Sequence, residues 1–124
     1  MMKKKVMVVD NEPDIVEYTK TILEMSGYTV IPSYGGEDCL KKLSEQKVDL
    51  VVLDIMMPGM SGWDVAARIK ESPKWKSIPI VFLTVVSDTM SQGIGRMAAE
   101  DYIVKPFDKD VLIKRVNALL KNRR

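Results

Sequence analysis

Four residues able to do chemistry stand where short apolar runs of the sequence stop. Asp10 closes Val6-Met7-Val8-Val9, Asp54 closes Val48 to Leu53 (interrupted only by Asp49), Thr84 closes Ile78 to Leu83, and Lys105 closes Tyr102-Ile103-Val104. Taken singly, each has a plain structural reading: Asp caps helices, Thr ends strands and Lys is usually solvated. Taken together they are two carboxylates, a hydroxyl and an ammonium. Two carboxylates brought close repel and need a cation or a shared proton. The 124 residues include no histidine and a single cysteine, so Ser-His and Cys-His nucleophiles, imidazole bases and His-ligated zinc are excluded. What remains suits a hard, oxygen-liganded divalent ion. Mg²⁺ takes one or two carboxylates, keeps waters and reserves positions for a phosphate. With a lysine and a hydroxyl beside it, such a site fits a phosphoryl group. Asp54 could attack phosphorus once the metal and Lys105 offset the charge of the two anions. That catalysis is positioning plus electrostatics and needs no imidazole on this chain.

The elements that must position these residues follow from periodicity. The four runs, with the weaker Thr29-Val30-Ile31, are short, β-branched and apolar on both faces, as buried parallel strands are. Helix-period segments separate them. Pro13 opens the first at a position that needs no N–H, Ile15, Thr19, Ile22 and Leu23 share its inner face, and Gly27 ends it. Leu40 and Leu43 mark a second helix, and Val65, Ala66 and Ile69 a third after the Pro58-Gly59-Met60-Ser61-Gly62 turn. Leu112, Val116, Leu119 and Leu120 mark the last, behind Asp108. The segment Ser87 to Ala99 is the weakest helix, since Gly93 and Gly95 each cost up to ~1 kcal/mol against Ala. Strands alternating with helices imply an α/β, doubly wound five-stranded parallel sheet covered on both faces. In such sheets the ligand site lies beyond the carboxyl ends of the strands, which turns four strand ends into one rim.

Composition sets further bounds. A 46% apolar, 29% charged chain of net charge +2 reads as one globular domain over residues 1–124, with no electrostatic reason to expect nucleic acid. The basic clusters Lys3-Lys4-Lys5 and Lys121-Asn122-Arg123-Arg124 read as solvated ends. Cys39 has no partner for a disulfide and, between helical apolar positions, reads as a small buried hydrophobe. No run is long enough to span a membrane or to form the core of a signal peptide, so the expected location is cytoplasmic.

The runs Val8-Val9-Asp10-Asn11-Glu12-Pro13-Asp14, Leu53-Asp54-Ile55-Met56-Met57-Pro58-Gly59-Met60-Ser61-Gly62, Leu83-Thr84 and Asp101-Tyr102-Ile103-Val104-Lys105-Pro106-Phe107 resemble the motifs of a response-regulator receiver domain, in order and over essentially the whole chain. The resemblance implies a CheY-like, flavodoxin-like (βα)₅ fold with strand order 2-1-3-4-5. It implies a two-component phosphorelay switch rather than an enzyme. Asp54 would accept the phosphoryl group from the phosphohistidine of a sensor histidine kinase or phosphotransfer protein. Asp10, Asn11, Asp54 and the Met56 backbone carbonyl would bind Mg²⁺ (or Mn²⁺). Lys105 and Thr84 would contact the phosphoryl oxygens, Thr84 and Tyr102 would move on activation, and Lys105-Pro106 would be a cis bond. The face around the fourth and fifth strands and helices would then change its affinity for a downstream effector, for a C-terminal output domain or, on phosphorylation, for a second copy. The chain would act as a stand-alone regulator or as the receiver of a longer one.

Three departures from the family pattern bear on the chemistry. Asn11 replaces a residue that is more often acidic, which implies weaker but not absent metal binding; Glu12 beside it would point elsewhere. Val85 would narrow access to Asp54. Met56 and Val86 offer no polar side chain to hold a hydrolytic water, which implies a persistent phosphoaspartate. A degenerate receiver, binding partners without phosphorylation, is the alternative that Asn11 supports. An aspartate-nucleophile phosphatase would need a second Asp at position 56, where Met stands. A flavin protein would need a phosphate loop after the first strand, where Asp10-Asn11-Glu12-Pro13 is too acidic, and Gly93-Ile94-Gly95 lacks a third glycine.

Overall fold

Parallel strands cannot be joined by a tight turn and need a long crossover. The computed structural model, which describes residues 3–85 and 99–121, supplies those crossovers as helices. The elements are β1 (Lys5–Val9), α1 (Pro13–Met25), β2 (Thr29–Ser33), α2 (Gly36–Glu45), β3 (Leu50–Asp54), α3 (Gly62–Glu71), β4 (Ile80–Thr84), β5 (Asp101–Val104) and α4 (Lys109–Leu120). All pairings are parallel and the strand order is β2-β1-β3-β4-β5, the expected doubly wound sheet. The helix expected over Ser87 to Ala99, with Val86, lies outside the described residues except for the buried Ala99.

Alternation along each strand sends side chains to opposite faces. Met7, Val9, Val51, Leu53 and Phe82 pack with Leu43 of α2 and Val65, Ala66 and Ile69 of α3. Val6, Val8, Val52, Val81, Leu83 and Ile103 pack with Val16, Ile22 and Leu23 of α1 and with Leu112, Val116 and Leu120 of α4. Two apolar layers therefore clamp the sheet, and burial at about 25 cal/mol per Å² is the main term holding it. The Tyr28 hydroxyl bonds Asn117, which ties the turn after α1 to α4.

Local rules account for the helix ends. Pro13 occupies the first position of α1 and Gly27 follows it at φ +97°, a left-handed value that suits glycine. Ser61 and Asp64 form a reciprocal capping box on α3, with Asp64 N–H donating to Ser61 Oγ at 3.3 Å and Ser61 N–H to Asp64 Oδ2 at 3.1 Å. Asp108 caps α4 by accepting the Asp110 N–H at 2.8 Å.

Several expected boundaries and faces shift. β3 starts at Leu50 instead of Val48, and Asp49 before it joins the Lys5 backbone through two bonds, each of 2.8 Å, at the amino ends of the adjacent strands β1 and β3. β4 starts at Ile80, and both strands take in their terminal polar residue, so Asp54 and Thr84 are the last paired residues of their strands. On α1 the inner face is Val16, Thr19, Ile22 and Leu23, leaving Ile15 partly buried. On α2 Cys39 is fully buried and Leu40 only partly, since Gly36, Cys39 and Leu43 are the inward positions. Leu119 likewise sits at the margin of its layer. Among the described residues no helix is long and apolar enough to cross a membrane.

Candidate functional site

The carboxyl ends of β1, β3, β4 and β5 form one rim, because register aligns Val9 with Leu53, Asp54 with Leu83, and Thr84 with Val104. Asp10 follows β1 and is wholly buried. Its backbone N–H donates to the Ser33 carbonyl at 3.1 Å, and its Oδ1 accepts the Glu12 N–H at 3.0 Å. Its other oxygen accepts from Lys105 Nζ at 2.7 Å. Asp54 closes β3 at 3% exposure, with Oδ1 3.6 Å from the same ammonium. Lys105 reaches them from the loop after β5. Its backbone N–H donates to the Thr84 carbonyl at 2.7 Å, and its side chain is 9% exposed. The Lys105-Pro106 peptide is cis. Thr84 is wholly buried at the end of β4.

One ammonium thus serves two buried carboxylates, which leaves an excess negative charge. Burial pushes the Asp54 carboxyl up from the ordinary 3.8 to about 6, and the neighbouring Asp10 charge adds to it. The Lys105 charge and the Met56 N–H hold it back without cancelling the rise.

The turn after β3 shapes the mouth of the site. Gly59 takes φ +75°, which suits glycine. Gly62 N–H donates to the Ile55 carbonyl at 2.8 Å, and a Cβ on Gly62 would lie 2.2 Å from the Asp54 carbonyl oxygen. Glycine is therefore required by close approach to the very residue that bears the buried carboxylate. Sequence reading assigned Gly62 only to a turn; the contact partner is decided by the fold.

The other expected residues are distributed around this centre. Met56 is 61% exposed and Val85 63% exposed, both at the mouth. Asn11 is exposed beside Asp10. Tyr102 is partly buried and packs on the core layer that contains Phe82 and Ala99. Val86 lies outside the described residues. Glu12 departs from expectation: although 65% exposed, its Oε1 lies 3.9 Å from Lys105 Nζ, so it adds an acidic group to the rim. Cys39 is buried, and burial pushes its thiol up to about 12, which leaves it protonated and inert.

A family model described as "Response regulator receiver domain" matches residues 6–117. The chain belongs to the response-regulator receiver family. It is 38% identical over 121 residues to the alkaline phosphatase synthesis transcriptional regulatory protein PhoP of Bacillus subtilis, covering 97% of this receiver and 50% of that protein. The receiver spans about half the length of the curated relatives it matches. Among solved structures it resembles the response regulator TrrA of Thermotoga maritima in complex with Mg²⁺-BeF, with a TM-score of 0.85, 40% identity and coverage of 94% and 99% of the two chains. It also resembles the chemotaxis protein CheY4 of Vibrio cholerae, with a TM-score of 0.91, 27% identity and coverage of 96% and 100%. The receiver is a signalling module of two-component systems rather than a classical enzyme.

Proposed function

We propose that this receiver accepts a phosphoryl group on Asp54 from the phosphohistidine of a sensor histidine kinase or phosphotransfer protein, and that the modified domain changes its affinity for an effector or an output domain. The observation that carries this is the pair of buried carboxylates held by one buried ammonium, with Lys105 Nζ 2.7 Å from Asp10 and 3.6 Å from Asp54. An Asp54 oxygen supplies the electron pair of the new O–P bond, and the imidazole nitrogen of the donor leaves with the electron pair of the P–N bond that breaks. Lys105 lies close enough to offset the Asp54 charge during attack and to hold a phosphoryl oxygen afterwards. Thr84, buried at the next strand end, offers a hydroxyl to the same group, and Tyr102 follows it inward.

The donor set fits Mg²⁺. The residues that would hold it offer hard oxygens: the Asp10 and Asp54 carboxylates, the Asn11 amide oxygen and the Met56 carbonyl. Mg²⁺ takes one or two carboxylates and retains water, which the two buried carboxylates suit. The raised Asp54 carboxyl marks the charge excess such an ion would neutralise. When bound, Mg²⁺ supplies charge neutralisation between Asp54 and the incoming phosphoryl oxygens. A single free, buried thiol suits the reducing cytoplasm, where we place the domain.

The test uses a small acyl phosphate donor with Mg²⁺ and intact-mass measurement. A single phosphate adduct, released by hydroxylamine as an acyl phosphate is and absent in Asp54→Ala, supports the switch. An unmodified chain under conditions that modify a known receiver refutes it and favours a phosphorylation-independent binding module.

A further inference from the structure

Position 11 gives the rim an amide and no charge, whereas Glu12 beside it carries a carboxylate that reaches the rim. Glu12 is the N-cap residue of α1, yet its side chain caps no helical N–H. Its backbone N–H donates to Asp10 Oδ1 at 3.0 Å, which anchors the residue beside Asp10. The side chain turns instead to Lys105, with Oε1 3.9 Å from Nζ. Asp10 Oδ2 holds the same ammonium at 2.7 Å, so Asp10, Glu12 and Lys105 close a triangle of one backbone bond and two charge contacts.

The three acidic neighbours of that ammonium differ in burial. Asp10 and Asp54 are buried, whereas Glu12 is exposed, so the third acceptor stands on the solvent side of the other two. The buried two are the carboxylates that would hold Mg²⁺. Lys105 and a divalent cation therefore compete for the same negative charge. Drawing a lysine away from buried carboxylates is costly unless another anion receives it. Glu12 is an anion within its reach.

We propose that Glu12 is a positioning residue that strengthens divalent-cation binding through Lys105, by offering the ammonium a carboxylate outside the pair it now neutralises. The inference rests on the Mg²⁺ site assigned above to Asp10 and Asp54. Glu12 itself ligates nothing: its charge acts on the lysine, and the lysine acts on Asp10 and Asp54.

Mg²⁺ titrations of the whole chain, followed by backbone amide shifts, test this without any phosphoryl donor. Glu12→Gln should weaken Mg²⁺ binding about threefold, the scale of an exposed ion pair. Asp14→Asn removes an equal charge from the exposed first turn of α1 and should weaken binding less than about half as much, because solvent screens charges that are not in contact. In a Lys105→Ala background the loss caused by Glu12→Gln should disappear. An unchanged Kd in Glu12→Gln, an equal loss in Asp14→Asn, or a loss that persists without Lys105 would each overturn the proposal. Glu12 and Asp14 are both exposed, so the comparison between them decides the matter even where Lys105→Ala fails to fold. A wild type that does not bind Mg²⁺ would overturn the metal site and this inference together, whereas a wild type that binds it with no effect of Glu12→Gln overturns this inference alone.

Discussion

Asp54→Asn should make this receiver more stable at neutral pH when divalent cations are removed. The wild-type carboxyl is buried, shares Lys105 with Asp10, and is raised from 3.8 to about 6 in the folded state. An acid whose folded value lies above its unfolded value holds more protons when folded at intermediate pH. Stability therefore falls as pH rises from about 4 through about 6, and the full penalty applies above that window. At about 1.4 kcal/mol per unit the shift corresponds to about 3 kcal/mol, and solvent screening at the mouth lowers the expected gain to about 2 kcal/mol. Asn keeps the shape, removes the charge, and leaves Lys105 paired with Asp10. The melting temperature near pH 7.5 should rise by about 6–10 °C. Urea unfolding in EDTA, followed by tryptophan fluorescence, reads this directly. Near pH 4 the two proteins should be equal, and Mg²⁺ should narrow the gap at neutral pH by stabilising the wild type. An equal or less stable variant near pH 7.5 would mean that the Lys105 attraction outweighs burial and repulsion, and the charge-excess reasoning would be wrong.

Four further outcomes follow from the same geometry. Gly62→Ala should cost about 2–3 kcal/mol, because its Cβ would lie 2.2 Å from the Asp54 carbonyl oxygen; an unchanged urea midpoint would show that the turn yields freely. Lys105→Ala should lower the rate of Asp54 phosphorylation by at least ~100-fold, read by intact mass over time, since no other ammonium among the described residues pairs with Asp54. Asn11→Asp should tighten Mg²⁺ binding about 10-fold by adding one carboxylate at the rim, measured by fluorescence or amide shifts; unchanged affinity would exclude position 11 from the metal site. Met56→Asn should shorten the phosphoaspartate lifetime by placing a polar group at the exposed mouth, and a lifetime equal to the wild type's would remove Met56 from control of hydrolysis.

Much of the fold was legible because its strands are buried on both faces and so appear as continuous apolar runs. The runs at Val6, Leu50, Ile80 and Tyr102 are recognisable without partners. Boundaries were less legible. Asp49 looked like an interruption within a strand, yet it precedes β3 and bonds the Lys5 backbone at the start of β1. Ile15 and Val16 are both apolar and adjacent, and only the rotation of α1 against the sheet selects Val16. Glu12 was read as pointing away, because adjacent residues usually diverge, but the bend after β1 brings its carboxylate to 3.9 Å from Lys105.

Sequence alone determined which groups end the strands, since a charge cannot remain inside an apolar run, and the doubly wound parallel topology then sends those ends to one rim. The absence of histidine also required that any phosphohistidine donor lie outside these 124 residues. Only the tertiary structure decided how the charges share that rim. One buried lysine faces two carboxylates, and the imbalance depends on distances of 2.7 and 3.6 Å between residues 95 and 51 positions apart along the chain. Burial and Coulomb energy vary with that spacing, and spacing across a sheet is set by register and packing rather than by sequence separation.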